Sequence, residues 1–297
     1  MPTTAKPKTD TATGCLYVVA TPIGNLEDIT LRALRVIKEA DLIACEDTRQ
    51  TLKLLSHFDI HTRMVSYHEH NEITRAAELV IELEQGAKIA LVSDAGTPAI
   101  SDPGQHLVAL ALRHGIRVVP IPGASAVVAA IAASGIPAEQ FRFVGFLPAR
   151  QSERRKALRE LAGETGTLVL YEAPHRVLDT LEDAVEILGN RPATIARELT
   201  KIHEEFLRNH LKDLAAIVRS KPLKGEITLL VGPSDQQAVQ NQTTSSESAP
   251  NALPLARRVE EIVQQRGLDR KAALKQAARE RGLTKREAYK QLLVTRD

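Results

Sequence analysis

The sequence predicts an α/β fold, and three observations lead to that prediction. Short apolar runs bounded by turn residues recur along the chain, segments with helical spacing alternate with them, and 297 residues suffice for about two domains. Strands that alternate with helices of about ten to fifteen residues are typical of parallel-rich sheets covered on both faces. The fold class is therefore α/β, and a small disulfide scaffold is excluded.

Eight short apolar runs are predicted as strands. Turn residues bound each of them, which is typical of buried strands. The runs are residues 16–20, 42–45, 88–93, 117–121, 141–146, 167–171, 193–196 and 227–231. Two helices are clearest between these strands: residues 174–188 carry one apolar face with Gly189 just past the end, and residues 71–84 repeat the spacing.

The chain changes character after the last strand. Residues 234–253 are mostly small and amide side chains, which predicts a linker. Three short helices are expected beyond it, over residues 255–265, 270–281 and 285–294, and a capping box opens the third. Residues 1–13 contain charge and proline but no apolar segment, so we expect a disordered leader and no signal peptide.

The net charge of +2 conceals a basic C-terminal end. Residues 254–297 contain twelve Lys and Arg against six acidic residues, whereas residues 1–253 contain 27 basic and 31 acidic residues. A nearly neutral protein therefore has a basic end. The chain has no Trp, five Phe and four Tyr, which argues against reading single strands mainly by aromatic stacking.

Cysteine and apolar content indicate a protein of a reducing compartment. Cys15 and Cys45 fit neither a disulfide framework nor a CxxC site, so we expect two buried thiols. Although 43% of the residues are apolar, no uninterrupted apolar run is long enough to span a bilayer. We therefore expect a cytoplasmic protein without a membrane partner.

Several common catalytic and binding motifs are absent from the sequence. The chain contains neither GxGxxG nor GxxxxGK[ST], so the two usual nucleotide-phosphate loops are missing, and it lacks HExxH and GxSxG. His68, Glu69 and His70 are adjacent, but one short segment supplies at most part of a metal shell. We expect a polar loop there and no metal site.

Stiff loops rich in glycine and proline follow several predicted strands. The clearest is SDAGTPAISDPG over residues 93–104, which lets a ligand approach main-chain groups closely. Ligands of open α/β sheets sit at the carboxyl ends of strands, where this loop lies. The same position is shared by the turns 21–25, 122–126 and 171–176 and by the charged segments 46–49 and 196–205. Each alone is ordinary turn chemistry, but together they favour a ligand site.

These segments resemble, in order and spacing, the tetrapyrrole-methylase-like superfamily and, within it, the enzymes that 2′-O-methylate a cytidine of small-subunit ribosomal RNA. The matching segments are TPIGNLEDIT (21–30), EDTR (46–49), SDAGTPAISDPG (93–104), PGASA (122–126), FVGFLP (143–148), YEAPHR (171–176), ARELTKIHEE (196–205) and KGEI (224–227). The chain departs from the family at Ala173, where a serine is usual, and at Arg150, where a lysine is more frequent.

The resemblance implies two α/β lobes with S-adenosylmethionine in the cleft between them, followed by a small all-helical domain. The expected divisions are a leader over 1–13, lobes over 14–121 and 122–233, a linker over 234–253 and a helix-turn-helix-like RNA-binding domain over 254–297. It also implies which residues hold the cofactor. These are Pro22, Asp94, Ala95, Gly96, Ile100, Ser125, Ala126, Tyr171, Ala196, Arg197 and Leu199.

Methyl transfer to a ribose hydroxyl is an in-line displacement, so the protein mainly aligns the reactants and keeps water out. Removing the hydroxyl proton during the attack would help. The matching segments offer Glu198 and Lys201 first, then Glu46 and His203, as catalytic candidates. A structural alternative is that Arg197 and Glu198 tie the lobes together as a buried pair.

The RNA substrate is a polyanion, so we expect its phosphates to meet local basic patches. The candidates beside the cleft and in the C-terminal helices are Arg49, Arg150, Arg154, Arg155, His175, Arg176, Arg257, Arg258, Lys285 and Arg286. The expected partner is 16S ribosomal RNA or the small ribosomal subunit, and the family likeness suggests a homodimer.

Two other functions remain open at this point. One keeps the fold and replaces the substrate by a corrin or porphyrin precursor that is C-methylated. The other is a DNA-binding regulator, in which the C-terminal helices bind duplex DNA and the α/β part senses a ligand.

Overall fold

A computed structural model of the protein describes residues 14–233, 259–260, 262–264, 267 and 269–280. The chain divides into two compact units, residues 1–235 and 236–297. In the described part of the chain, no helix combines the length and the apolar character that crossing a membrane requires.

The first sheet of the larger unit is entirely parallel. Its strands are β1 (Cys15–Val19), β2 (Leu42–Cys45), β3 (Met64–Ser66), β4 (Lys88–Val92) and β5 (Arg117–Ile121), in the order β3-β2-β4-β1-β5. The helices are α1 (Leu31–Glu39), α2 (Thr48–His57), α3 (Glu72–Glu84) and α4 (Gln105–Arg113). Because α1 and α2 pack in one apolar cluster and α3 and α4 in another, both faces of the sheet are covered.

The second sheet is mixed. Its strands are β6 (Phe141–Phe146), β7 (Thr167–Glu172), β8 (Pro192–Arg197), β9 (Glu205–His210) and β10 (Ile227–Val231), in the order β6-β7-β10-β8-β9. Only β6 and β7 are parallel, and the other three pairs are antiparallel. The expectation of parallel-rich sheets is therefore wrong for this one. The short connection from β8 to β9 makes a hairpin, and hairpins are antiparallel.

Helices also cover both faces of the second sheet. They are α5 (Ala126–Ser134), α6 (Gln151–Leu161), α7 (Val177–Leu188) and α8 (Leu211–Ser220). The last three form one apolar cluster with the sheet, and α5 packs in the other. α7 begins at Val177, three residues after the predicted start, because a turn occupies the residues before it.

Two strands escaped the sequence prediction for identifiable reasons. β3 is only three residues long, so it is too short to show an apolar alternation. β9 contains Glu205, Arg208 and His210, and this charge made the segment resemble a loop. The segment is a strand because it pairs with β8, and its composition does not predict this pairing.

The smaller unit contains a helix, α9 (Arg270–Glu280), and a compact apolar cluster. Val259 and Ile262 are buried there against Ala273, Leu274 and Ala277. The predicted helix 285–294, the leader, the linker and the candidates Arg257, Arg258, Lys285 and Arg286 lie outside the described residues.

Candidate active site

A cavity of about 390 Å³ lies where strands from both sheets of the larger unit meet their loops. This volume is within the range of about 300–1,000 Å³ that small-molecule sites occupy. We call it the cleft. Its walls come from the loops after β1, β4 and β5, from the ends of β6, β7 and β8, and from the start of β10.

The loop after β4 is held against the loop after β1 by main-chain bonds. Thr21 N donates to Gly96 O at 2.8 Å, Gly96 N donates to Thr21 O at 3.1 Å, and the Thr21 hydroxyl donates to Ser93 O at 3.2 Å. Gly96 has a φ of +81°, a conformation that glycine adopts without the steric cost of a side chain. This wall of the cleft is therefore built from backbone and fixed by it.

Most of the predicted cofactor residues lie together around the cleft. Those that line it are Ala95, Gly96, Ile100, Ser125, Ala126, Tyr171, Ala196 and Leu199. Three others do not. Pro22 is buried and its neighbour Ile23 lines the cleft instead. Asp94 accepts a bond from Asp47 N, and Arg197 bonds Glu205 at 3.0 Å.

Further lining residues had received no role from the sequence. They are Ile23, Thr97, Ser101, Asp102, Phe146, Glu172, Ala173, Pro174, Glu226, Ile227 and Thr228. Most belong to the segments that carried the family resemblance, so the signal was present. Spacing alone does not tell which side chains of a segment face the cavity.

An aromatic and apolar wall faces the backbone wall. Tyr171 stacks edge-on against Phe143 at 5.1 Å between ring centroids and lies 5.6 Å from Phe146. Burial raises the pKa of Tyr171, and the nearby carboxylate of Asp102 adds to the effect. Phe146 and Ile100 are 58% and 59% exposed. Large apolar side chains exposed in a cavity are typical of a site that a ligand covers.

Glu198 and Lys201, ranked first as catalytic candidates, bond each other beside the cleft. Glu198 Oε1 accepts from Lys201 Nζ at 2.9 Å and from Glu226 N at 2.9 Å, and these bonds lower the pKa of Glu198. Burial opposes protonation of Lys201, but bonds to Glu198 and Glu226 raise its pKa overall. A carboxylate with a lowered pKa is a weak proton acceptor, and a protonated lysine has no lone pair with which to accept a proton.

The structural alternative was that Arg197 and Glu198 form a buried pair that ties the lobes together. These two residues do not pair with each other or with the other lobe. Arg197 bonds Glu205 and Glu198 bonds Lys201, so each pairs with a side chain from its own half of the larger unit, the half that contains the second sheet. A bond between the halves comes instead from Asn25 N to the Thr200 hydroxyl at 3.0 Å.

The two remaining catalytic candidates differ in their surroundings. Glu46 is half-buried, and burial together with the carboxylates of Asp94 and Asp102 raises its pKa. His203 is exposed. Neither lines the cleft. Among the described residues, no group of three or more His, Cys, Asp or Glu side chains could hold a metal ion.

The RNA-binding prediction needs a correction at Arg154. Its side chain is only 3% exposed and donates to Asp183 Oδ2 at 2.8 Å. A buried, paired guanidinium is not available to a phosphate, so Arg154 is withdrawn from the interface. Arg155 also bonds Asp183 and Glu186, whereas Arg150 and His175 are exposed. Arg49 is exposed and bonds Asp47 at 2.9 Å.

Arg176 acts as a strut rather than as a surface cation. Its Nη2 donates to Leu147 O at 2.6 Å and to Pro148 O at 3.1 Å, and its Nε lies 3.4 Å from Glu172 Oε1. The guanidinium thereby joins the loop after β6 to the loop after β7. These loops adjoin Phe146, at the end of β6, and Ala173, and both of these residues line the cleft.

We expect Arg176→Met to lower the free energy of unfolding by about 1–3 kcal/mol, because two carbonyls lose their donor and the buried Glu172 carboxylate loses a nearby positive charge. Urea denaturation checks this. His175→Ala, next to it but exposed, is the control and should leave the midpoint unchanged. Equal midpoints for the Arg176 variant and the parent would contradict the stabilising role of the Arg176 guanidinium.

Comparison with known proteins places the chain among methyltransferases. The family model of the Tetrapyrrole (Corrin/Porphyrin) Methylases matches residues 15–215. A protein of Halalkalibacterium halodurans named ribosomal RNA small subunit methyltransferase I is 51% identical over 93% of both chains. A protein of the same name from Synechocystis is 45% identical over 93% of this chain and 96% of its own.

Among solved structures, the uroporphyrin-III C-methyl transferase of Thermus thermophilus, complexed with S-adenyl homocysteine, is similar in fold. It superposes with a TM-score of 0.52 and 21% identity, over 76% of this chain and 100% of its own. This degree of likeness supports the two-sheet architecture.

Proposed function

The chain belongs to the Tetrapyrrole (Corrin/Porphyrin) Methylases and uses S-adenosylmethionine, and on this premise we propose that it 2′-O-methylates a cytidine ribose of 16S ribosomal RNA in the decoding centre. The observation that carries the proposal is the 51% identity over 93% of both chains, since it extends well beyond the family match at residues 15–215. The corrin or porphyrin alternative shares only the fold with its solved examples.

The residues of the cleft fit the methyl donor. The donor supplies an activated methyl group on a cationic sulfur, and the protein need only hold and orient it. Backbone groups of Ala95 can bind its polar end, and Tyr171 and Phe146 offer flat apolar surface for its adenine. Leu199 and Ile227 exclude water from the same space.

Mapping of ribose methylation tests the proposal. We expect ribosomal RNA from cells lacking the gene to miss one 2′-O-methyl cytidine of the small subunit, detected by mass spectrometry of nuclease fragments. The purified protein should restore it on small subunits or on naked rRNA, supplied separately, in the presence of S-adenosylmethionine. Transfer of labelled methyl to uroporphyrinogen and not to RNA would overturn the proposal.

We further propose that residues 254–297 form an RNA-binding domain behind the linker 234–253. Deleting residues 240–297 is expected to leave donor binding unchanged, because the cleft lies wholly within the larger unit, while weakening RNA methylation. Calorimetry with S-adenosylhomocysteine and methylation at rising salt measure the two effects. Unchanged methylation by the shortened protein would remove this domain from the RNA interface.

A homodimer is part of the same proposal. Sedimentation equilibrium of the full-length protein should give twice the chain mass of 32.5 kDa, and a value equal to one chain would exclude the dimer.

A further inference from the structure

Three carboxylates line the cleft, and two of them are occupied by other groups. Glu172 accepts from the Thr180 hydroxyl at 2.6 Å and from Ala173 N at 2.8 Å, and Glu226 pairs with Lys201 at 3.0 Å. The third, Asp102, is half-buried at the end of the loop after β4. A half-buried carboxylate that faces a ligand cavity and has no cation partner among the described residues requires an explanation.

The groups around Asp102 come from three parts of the larger unit. Ser93 and Asp94 precede it in the same loop, Glu46 follows β2, and Tyr171 stands across the cleft on β7. Burial raises the pKa of Asp102, the Ser93 hydroxyl opposes this, and the charge of Asp94 adds to it. Glu46 and Asp102 also repel each other, since the charge of Asp102 raises the pKa of Glu46. These surroundings make an ionised Asp102 a stronger proton acceptor than an ordinary aspartate.

A carboxylate could serve methyl transfer in two ways, and they affect the rate differently. As a partner for the cationic donor, it would stabilise the reactants more than the transition state, because the positive charge on sulfur disappears during the reaction. As a proton acceptor, it would gain from the reaction, since the attacking hydroxyl becomes more acidic as its oxygen bonds to carbon. Only the second role accelerates the transfer.

We propose that Asp102 is the catalytic base that accepts the proton of the ribose hydroxyl. The hydroxyl oxygen forms a bond to the methyl carbon as the carbon–sulfur bond breaks, the electron pair of that bond stays on sulfur, and the hydroxyl proton passes to an Asp102 carboxylate oxygen. The inference rests on the proposed function, which supplies the hydroxyl. It assigns the base to a residue on the wall of the cleft, whereas Glu46, Glu198, Lys201 and His203 do not line it.

Single-turnover methylation of small-subunit rRNA by the full-length protein, measured against pH, tests the inference. The wild-type rate should fall on acidification as Asp102 takes up its proton, with an apparent pKa above that of an ordinary aspartate. Asp102→Asn should lose about 10²- to 10⁴-fold in rate and lose this acid limb. Its affinity for S-adenosylhomocysteine by calorimetry should stay within about threefold of wild type, because the amide keeps the shape of the wall.

Asp213→Asn is the matched control, since it makes the same change on an exposed helix position in α8. It should match wild type in rate and pH profile. Asp102→Glu, which keeps a carboxylate, should retain a slower reaction with a shifted acid limb. This second variant decides the matter if the asparagine variant does not fold.

The outcomes separate the inference from the function on which it rests. An Asp102→Asn variant with wild-type rate and pH profile, an Asp102→Glu variant with an unshifted limb, or an asparagine variant that loses donor affinity at unchanged rate would each overturn the role of Asp102 alone. A wild-type protein that binds the donor and methylates no small-subunit rRNA would overturn the proposed function, and this inference with it.

Discussion

Asp183→Ala is expected to lower the free energy of unfolding by about 3–5 kcal/mol, because it leaves the buried Arg154 guanidinium without its counter-charge. Both side chains are 3% exposed, and Arg154 Nε lies 2.8 Å from Asp183 Oδ2. Asp183 also binds Arg155 at 3.0 Å, so one carboxylate holds two arginines of α6 against α7. Thermal unfolding followed by circular dichroism measures the loss.

Glu186→Ala is the control for this prediction. Like Asp183, Glu186 lies on α7 and pairs with Arg155 of α6. Its side chain is 63% exposed, so solvent screens the pair and the melting temperature should change little. The double variant Arg154→Met with Asp183→Leu should recover much of the loss, since no charge is then left buried. Equal melting temperatures for Asp183→Ala and Glu186→Ala would contradict the account.

Ala126→Phe is expected to weaken the binding of S-adenosylmethionine by about 10- to 100-fold, because the ring fills space that the donor needs. Ala126 is the first residue of α5 and lines the cleft between the two walls. Ala126 is half-buried and borders the cavity, so the ring can extend into the cleft and the fold should survive the change. Calorimetric titration with the donor gives the affinity.

Ala132→Phe places the same ring on the same helix at an exposed position. It should bind the donor as the parent does, which separates an occupied cleft from a disturbed helix. Undiminished affinity in Ala126→Phe would show that the donor binds elsewhere.

The eight strands predicted from the sequence are present within a residue or two, because each is an apolar run enclosed by turn residues. The direction of pairing was predictable only where helices separate the strands. Nothing in the composition of residues 227–231 indicates that β10 lies between β7 and β8 and antiparallel to both. That placement depends on contacts between segments distant in the sequence.

For the cleft, the sequence located the loops but not the direction of individual side chains. Asp94 and Asp102 belong to the same loop, yet only Asp102 lines the cavity. Arg154 and Lys156 have the same charge two positions apart on α6, and helical geometry turns one inward and the other outward. Charge read along the chain therefore overstated the basic surface beside the cleft.

The central place of β10 sets the order in which a newly made chain can assemble. The first sheet is complete once residue 121 has been synthesised, so this half can fold while translation continues. The second sheet has an open seam between β7 and β8 until residues 227–231 leave the ribosome. Because residues 226–228 also form part of the cavity wall, a nascent protein has no finished binding site until almost the whole larger unit exists.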